Sequence, residues 1–296
     1  MTCAACGEAR LRPHLRVAGA LGDEGLVPTT TQFGVALGDF VRCDACGHLQ
    51  LAQMPELSYA DAASDAYEAE EEGQRATARA ELERIERHVR HGRLVDLGCW
   101  VGFLPAEANA RGWDAVGVEP SQWAAERARS RGVEIVEEAA LAPGSFAAVT
   151  LGDVIEHIPD PGATLDRVAR LLAPGGVVWM ATPDAGSRLA RMLGPRWWSV
   201  IPTHVHLFTR RSMRTLLERH GFELLAMGSS PKTFSIAYYL ERLGGYWPPL
   251  AHALVAIARA LGVADRRWTP DFRDRFYVLA RLRSGSPPRP SLPPAP

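Results

Sequence analysis

Short apolar runs alternate with segments of helical periodicity from residue 93 onward. Five runs predict β-strands, and they span Leu94–Leu97, Ala115–Val118, Val133–Val136, Ala147–Leu151 and Val177–Ala181. Helical patterns lie between several of them, over Pro105–Arg111, Gln122–Arg131 and Ala163–Leu172. Continuous apolar strands that alternate with helices are typical of a parallel sheet covered on both faces.

The pattern changes in the last third of the chain. A helix predicted over Arg211–His220 stops at Gly221, and residues 235–263 also read as helical. The apolar runs Phe222–Met227 and Phe276–Arg283 predict the last two strands. The sheet is therefore expected to end in two strands that flank a helical insertion.

The segments outside this alternating region differ in composition. Residues 54–91 read as a helical connector, because Leu82, Ile85 and Val89 fall on one helix face. Residues 284–296 contain six prolines, which predicts a disordered tail. No apolar stretch reaches the roughly 20 residues that a membrane-spanning helix needs, so we expect no membrane span.

Two Cys-x-x-Cys-Gly motifs lie near the N-terminus, with 36 residues between Cys6 of the first and Cys43 of the second. Their thiols belong to Cys3, Cys6, Cys43 and Cys46. A two-residue gap lets both thiolates of a pair face one tetrahedral ion, so residues 1–53 are predicted to form a structural zinc ribbon. Four thiolates fill such a site, and we therefore expect the nearby His48 to be solvated.

The net charge and the expected cellular location of the protein limit the classes of function that fit the sequence. The net charge of −1 and a pI near 6.8 provide no global attraction to nucleic acid or acidic membranes. Met1 is followed by Cys3 rather than by a basic region and an apolar core, so we expect no signal peptide. A cytoplasmic, reducing location follows, in which thiols bind metal rather than form disulfides.

A glycine turn follows the first strand of the alternating region. The segment reads Asp96-Leu-Gly98-Cys99-Trp100-Val-Gly102, and glycine there lets backbone amides approach a ligand closely. Glu119 ends the next strand, 21 residues after Gly98, where a carboxylate can accept both hydroxyls of a ribose. These features alone fit any nucleoside-binding, doubly wound sheet.

Two later motifs are more specific. Leu151-Gly-Asp153-Val-Ile-Glu156-His157-Ile-Pro-Asp-Pro161 follows the fourth strand, and Leu172-Ala-Pro-Gly-Gly176 precedes the fifth. Together with the glycine turn, they resemble class I methyltransferases that use S-adenosylmethionine, over residues 75–283. The resemblance implies an α/β fold, a doubly wound, seven-stranded, mostly parallel Rossmann-like sheet. The methyltransferase domain is expected at 92–283.

The resemblance also implies roles for particular residues. It puts the methionine end of the cofactor against Asp96, Gly98, Cys99 and Gly102. It puts the ribose on Glu119 and the adenine amine on Glu137 or Glu138, and we favour Glu138; Asp153 is counted with this cofactor set. Trp100 stands where the family usually has glycine. Because the flanking motifs are intact, we interpret it as a tolerated variant.

A base is expected where the acceptor binds. His157 follows a strand at the carboxyl edge of the sheet, and His204 lies in a segment that resembles the acceptor lid of related enzymes. His206 is the alternative in the same segment. Asp153, Glu156 and His157 also resemble the metal-binding cluster of ubiquinone-pathway O-methyltransferases, although the favoured interpretation is that they form hydrogen bonds that hold neighbouring site residues in place.

These features predict methyl transfer from S-adenosylmethionine to a small-molecule acceptor. The Cys43–Leu51 segment, continuing to Tyr59 and Tyr67, resembles ribbons that precede methyltransferase domains in sugar, polysaccharide and secondary-metabolite pathways, so such an acceptor is expected. The alternative is an RNA methyltransferase that uses the ribbon as a nucleic-acid module, but the ribbon has few basic residues. A non-catalytic cofactor-binding subunit and a nicotinamide-dependent dehydrogenase are less favoured. Trp100 breaks the glycine pattern of the dehydrogenase.

Overall fold

The computed structural model of the protein describes residues 1–17, 33–64 and 70–283. The predicted disordered tail at 284–296 and Tyr67 lie outside these residues. Three antiparallel strands open the chain: β1 (Leu11–Leu15), β2 (Phe40–Cys43) and β3 (Leu49–Leu51). The first long helix, α1 (Glu71–Glu86), follows them.

The central sheet has seven strands, as predicted. They are β4 (Arg93–Leu97), β5 (Asp114–Val118), β6 (Glu134–Ile135), β7 (Phe146–Gly152), β8 (Leu172–Pro183), β10 (Phe222–Ser229) and β13 (Arg275–Leu282), with β9 (His206–Leu207), β11 (Phe234–Ser235) and β12 (Arg267–Trp268) lying outside this sheet. The strand order is β10-β13-β8-β7-β4-β5-β6, with β13 antiparallel to both neighbours and the β8-to-β6 part parallel. The predicted seven-stranded, mostly parallel fold class is confirmed.

The described residues form seven further α-helices after α1. They are α2 (Phe103–Ala110), α3 (Gln122–Ser130), α4 (Pro161–Leu171), α5 (Arg188–Leu193), α6 (Arg210–Arg219), α7 (Ile236–Arg242) and α8 (Pro248–Ala260). Several begin at residues that suit an N-cap: the side chains of Ser121, Asp160 and Thr209 accept backbone N–H groups of α3, α4 and α6. Leu82 and Ile85 of α1 are fully buried in the same core cluster as Trp179 of β8.

The helix predicted over 54–91 is shorter than the pattern indicated. It begins at Glu71, and the described residues 54–64 form no helix or strand. Only the α1 part repeats apolar residues at helical spacing, so only that part gains from burying a face. The 54–64 segment instead runs past the carboxyl edge of the sheet, where the Tyr59 side chain contacts His157.

The N-terminal strands are not closed on themselves. Strand β9 pairs with β3, matching Gln50 with His206 and Leu49 with Leu207, and so completes a four-stranded sheet in the order β1-β2-β3-β9. The ribbon is therefore joined by main-chain hydrogen bonds to the segment that follows β8.

Within the described ranges, no helix is both long and apolar enough to traverse a bilayer.

Candidate active site

The glycine turn after β4 adopts a backbone conformation that explains its sequence. Gly98 has φ of +73°, and a Cβ at that position would lie 2.7 Å from a methyl carbon of Val154. Trp100 also has a positive φ, of 51°, at the position where the family usually has glycine. The Gly102 turn (φ +82°) then starts α2 against Ala128. The tryptophan therefore keeps the left-handed turn at the cost of backbone strain.

Glu119 holds this turn in place. One carboxylate oxygen accepts the Trp100 N–H at 2.7 Å, and the other accepts the Ser121 N–H at 2.9 Å. Burial raises the pKa of Glu119, while these two backbone donors oppose the rise. Each oxygen retains a second lone pair, so the carboxylate can still accept hydroxyl groups.

The residues of the predicted cofactor set fall into two groups by their position relative to the turn. Gly98, Glu119, Glu137, Glu138 and Asp153 line one large cavity beside the turn. Asp96, Cys99 and Gly102 lie behind the turn, outside the lining of that cavity. Their contacts are with the protein, and they shape the turn from beneath.

Asp96 and Cys99 show what this support consists of. The Asp96 carboxylate is buried and accepts the Thr150 hydroxyl at 2.6 Å, and burial raises its pKa to about 7. The Cys99 sulfur lies 2.5 Å from where a Cβ on Gly117 would stand. Only glycine at 117 leaves room for this thiol, and burial raises its pKa well above the ordinary value.

The cavity has a volume of about 1030 Å³ and extends from the turn to the helical insertion. Glu137 and Glu138 lie at one end, where Glu138 forms an ion pair with Arg167 at 3.3 Å. The other end is lined by aromatic side chains, those of Phe33, Trp198, Phe234, Tyr238, Tyr239, Tyr246, Trp268 and Phe272. Small-molecule pockets commonly occupy about 300–1,000 Å³, so this cavity lies at the top of that range.

Asp153 is engaged by two cations. Its carboxylate forms ion pairs with Arg275 and, at 2.5 Å, with Lys232. Burial opposes ionisation of Asp153, but these two positive charges outweigh it and hold the pKa of the carboxyl below its ordinary value. An anion compensated in this way has little charge left to attract a metal ion.

Glu156, His157 and His204 form a compact trio, of which His157 and His204 line the cavity. Candidate ligand atoms of the three lie within 4.8 Å of one another, and the two rings meet edge to face at 4.7 Å. His157 Nδ1 donates to the Thr203 carbonyl at 2.9 Å, and His204 Nδ1 donates to the Ser199 carbonyl at 2.8 Å. Both rings therefore have an unprotonated Nε2.

Burial controls the protonation of this trio. It lowers the pKa of His157 to about 4 and that of His204 well below the ordinary value. Burial, reinforced by the charge of Asp153, raises the pKa of Glu156 to about 8. One Glu156 oxygen accepts the Thr182 hydroxyl at 2.9 Å, and the other has no partner among the described residues.

This arrangement suits two kinds of chemistry. A neutral imidazole can accept a proton from an acceptor hydroxyl, since burial keeps both rings unprotonated at pH 7. Two imidazoles with carbonyl-bonded Nδ1 atoms and one carboxylate oxygen also form a ligand set for a divalent cation. The set differs from the sequence hypothesis, because His204 takes the place of Asp153.

The four N-terminal thiols converge as the sequence predicted. Their sulfur atoms all lie within 4.8 Å of one another, with Cys3 and Cys46 at 3.6 Å and Cys6 and Cys43 at 3.4 Å. Four sulfurs at this spacing fit around one tetrahedral ion with metal–sulfur bonds of about 2.3 Å. His48, expected to be solvated, is instead fully buried, because strand β3 carries it against β9.

Several residues that line the cavity were not predicted as site residues from the sequence. Tyr59, whose hydroxyl lies 3.2 Å from His157 Nδ1, comes from the segment expected to be helical. Lys232 and Arg275 come from the far end of the chain. Arg275 carried a usable signal, since it precedes the uncharged run Phe276–Ala280 and a buried charge there needs a partner. Trp198 joins the cavity, whereas Trp197 is buried in a core cluster.

Comparison with known proteins identifies the family. Residues 69–227 match the family model for a methyltransferase domain, which is more than half of the chain, so the chain belongs to this methyltransferase family. The ubiquinone biosynthesis O-methyltransferase of Colwellia psychrerythraea is 32% identical, over 45% of this chain and 61% of the relative. Its counterpart from Chromobacterium violaceum is 27% identical, over 51% and 75%. The chain thus spans less than two thirds of the first relative.

Two methyltransferases are among the solved structures that match the chain in part. A SAM-dependent methyltransferase from Thermotoga maritima is 20% identical and matches 74% of this chain and 95% of that chain, with a TM-score of 0.49. The magnesium protoporphyrin IX methyltransferase of Synechocystis is 14% identical, over 76% and 88%, with a TM-score of 0.46. The family match and the observed strand order, rather than these scores, confirm the predicted class, a methyltransferase of the class I fold.

Proposed function

We propose that the protein transfers the methyl group of S-adenosylmethionine to a hydroxyl of a small-molecule acceptor. The observation that carries this proposal is one cavity of about 1030 Å³, whose lining includes Gly98 and Glu119 of the cofactor set as well as His157 and His204. Two reactants held in one cavity meet in a fixed geometry, which is the main requirement of an in-line displacement. The names of the curated relatives support oxygen as the nucleophile, and the RNA alternative gains no support from them.

In this proposal the glycine turn and its neighbours bind the cofactor. The bound cofactor supplies an activated methyl group on a sulfonium. We assign its ribose hydroxyls to Glu119, its methionine end to the Gly98 turn and its adenine to Glu138 or Glu137, all of which line the cavity. Asp96, Cys99 and Gly102 support the turn from behind. Asp153 orients Lys232 and Arg275 toward the same space.

We assign the removal of the acceptor's proton to His204 and His157. Nε2 of His204 would take the proton of the acceptor hydroxyl, with His157 as the neighbouring base. Because Nδ1 of each ring already donates to a carbonyl, the ring orientation is fixed before substrate arrives. The aromatic end of the cavity favours an acceptor with an apolar or aromatic body, as in many secondary metabolites, over a bare sugar.

We further propose that Cys3, Cys6, Cys43 and Cys46 bind one structural zinc. Support comes from their convergence and from the reducing, cytoplasmic location expected from the sequence. Four protein thiolates leave no open coordination position, so the ion holds the ribbon together and takes no part in methyl transfer.

Substitution of His204 tests the division between acceptor and cofactor. His204→Ala should lower turnover by about 10²- to 10⁴-fold and leave the affinity for S-adenosylmethionine nearly unchanged. His157→Ala reports on the second ring, and His252→Ala, an exposed histidine on α8, is the matched control. Turnover on a catechol and phenol panel and calorimetric titration of the cofactor provide the two readouts. Full turnover in His204→Ala, or loss of cofactor binding in step with activity, would refute the assignment. A chelator that abolishes wild-type turnover without removing the ribbon zinc would instead assign the trio to a cation.

A further inference from the structure

Two buried histidines outside the cavity contact each other across 158 positions of sequence. His48 Nε2 lies 3.0 Å from His206 Nδ1, and both side chains have no exposed surface. Neither residue lines the cavity, and the proposed reaction uses neither. His48 lies two residues after Cys46, and its carbonyl accepts the Cys43 N–H at 2.8 Å. The pair thus connects the ribbon to the segment that carries His204.

The hydrogen-bond partners determine where the protons lie. His206 Nε2 is 3.2 Å from the Pro159 carbonyl, which only accepts, so this nitrogen carries the proton. Burial lowers the pKa of His206 to about 4, so the ring is neutral at pH 7 and its Nδ1 is an acceptor. Nε2 of His48 must then be the donor between the two rings. The Pro159 carbonyl and the His48 donor therefore favour the same tautomer of His206, with its proton on Nε2.

That tautomer holds together the two segments that bear the trio. Pro159 follows His157 by two residues, and His206 follows His204 by two. Between them, the Val205 N–H donates to the Glu156 carbonyl at 2.9 Å. The bond from His206 to Pro159 is the neighbouring link between the same two segments. Losing it would leave the relative position of the two catalytic rings less constrained.

We propose that His48 is a positioning residue, which fixes the tautomer of His206 and thereby the relative placement of His157 and His204. The roles of those last two residues rest on the proposed function. The ribbon would then also help to position the two histidines, since the knuckle that ends at Cys46 sets the position of His48. The neighbouring main-chain bond from Leu51 N–H to the Val205 carbonyl, at 3.0 Å, supports the same segment.

Histidine-labelled protein provides the direct test. In the wild type, ¹⁵N NMR should show His206 protonated at Nε2, with a coupling through the hydrogen bond from His48 Nε2 to His206 Nδ1. His48→Phe keeps the ring volume and removes the donor, so the His206 signals should change to a tautomer mixture and those of His157 and His204 should shift. His48→Gln retains an N–H donor and should restore the wild-type pattern.

Turnover adds a second readout. His48→Phe should lower turnover by about 10-fold, the rate equivalent of one neutral hydrogen bond, with cofactor affinity unchanged, and His48→Gln should recover most of it. An uncoupled His48–His206 pair in the wild type overturns the inference even if His48→Phe does not fold. So does a folded His48→Phe with unchanged signals for all three histidines. A wild type without methyl transfer but with the NMR pattern above would refute the proposed function alone.

Discussion

Glu119 is the residue whose removal should most weaken cofactor binding. The two charge-assisted hydrogen bonds proposed from Glu119 to the ribose hydroxyls would contribute about 1.5–3 kcal/mol each, so Glu119→Ala should lose about 3–6 kcal/mol of binding free energy. At 1.4 kcal/mol for each factor of ten, the affinity for S-adenosylmethionine should fall by at least about 10²-fold. Glu119→Gln keeps the volume but turns an amide NH₂ toward a backbone donor, so its loss should be intermediate.

The structure adds a condition to this experiment. Glu119 also accepts the Trp100 and Ser121 N–H groups, and the alanine variant removes both acceptors. Water can enter the vacated space at the cavity wall and satisfy these donors, so the fold should remain intact. Calorimetric titration measures the affinity, circular dichroism checks the fold, and exposed Glu126→Ala on α3 is the matched control. Unchanged affinity in a folded Glu119→Ala protein would remove this residue from the site.

Three further predictions follow from the fold. Metal analysis should find one zinc per chain in the wild type and in Cys99→Ser, and none in Cys43→Ser; equal zinc in all three, or none, contradicts the ribbon. Chemical unfolding should show that Gly98→Ala destabilises the protein by more than Gly132→Ala does. Both glycines have a positive φ, which costs an alanine about 1–2 kcal/mol. Only the alanine at 98 would also place its Cβ 2.7 Å from another side chain. Since burial depresses the pKa of His206 to about 4 from 6.5, the stability it contributes is complete above pH 6.5 and lost as the pH falls toward 4. The wild type should lose up to about 3 kcal/mol more than His206→Asn over that interval, and parallel pH profiles would disprove this.

The central sheet was predictable because its signal is local. Runs such as Val177–Ala181 are apolar at every position, as strands buried on both faces must be, and β8 contains that run. The two cysteine pairs were predictable for a similar reason, since their spacing is a property of the knuckle itself. The helix predicted over 54–91 was too long because the periodicity of α1 does not extend backward.

The contacts that complete the site have no local signal. Strand β9 is two residues long and pairs with β3 more than 150 positions away, so nothing in either segment marks the partner. For the same reason His48 was expected in solvent and is buried. The ion pairs of Asp153 depend on Lys232 and Arg275, which only the folded chain brings to the end of β7.

We have proposed that one cavity brings S-adenosylmethionine and an acceptor hydroxyl together. Methyl transfer can be followed with cofactor that carries an isotopically labelled methyl group, a panel of phenolic, catecholic and sugar-linked acceptors, and mass spectrometry of the products. We expect a labelled O-methyl product from a small aromatic or apolar acceptor, formed one-for-one with S-adenosylhomocysteine and strongly reduced in His204→Ala. Saturable cofactor binding with no labelled product from any small molecule, or label recovered only in added RNA, would contradict the proposal.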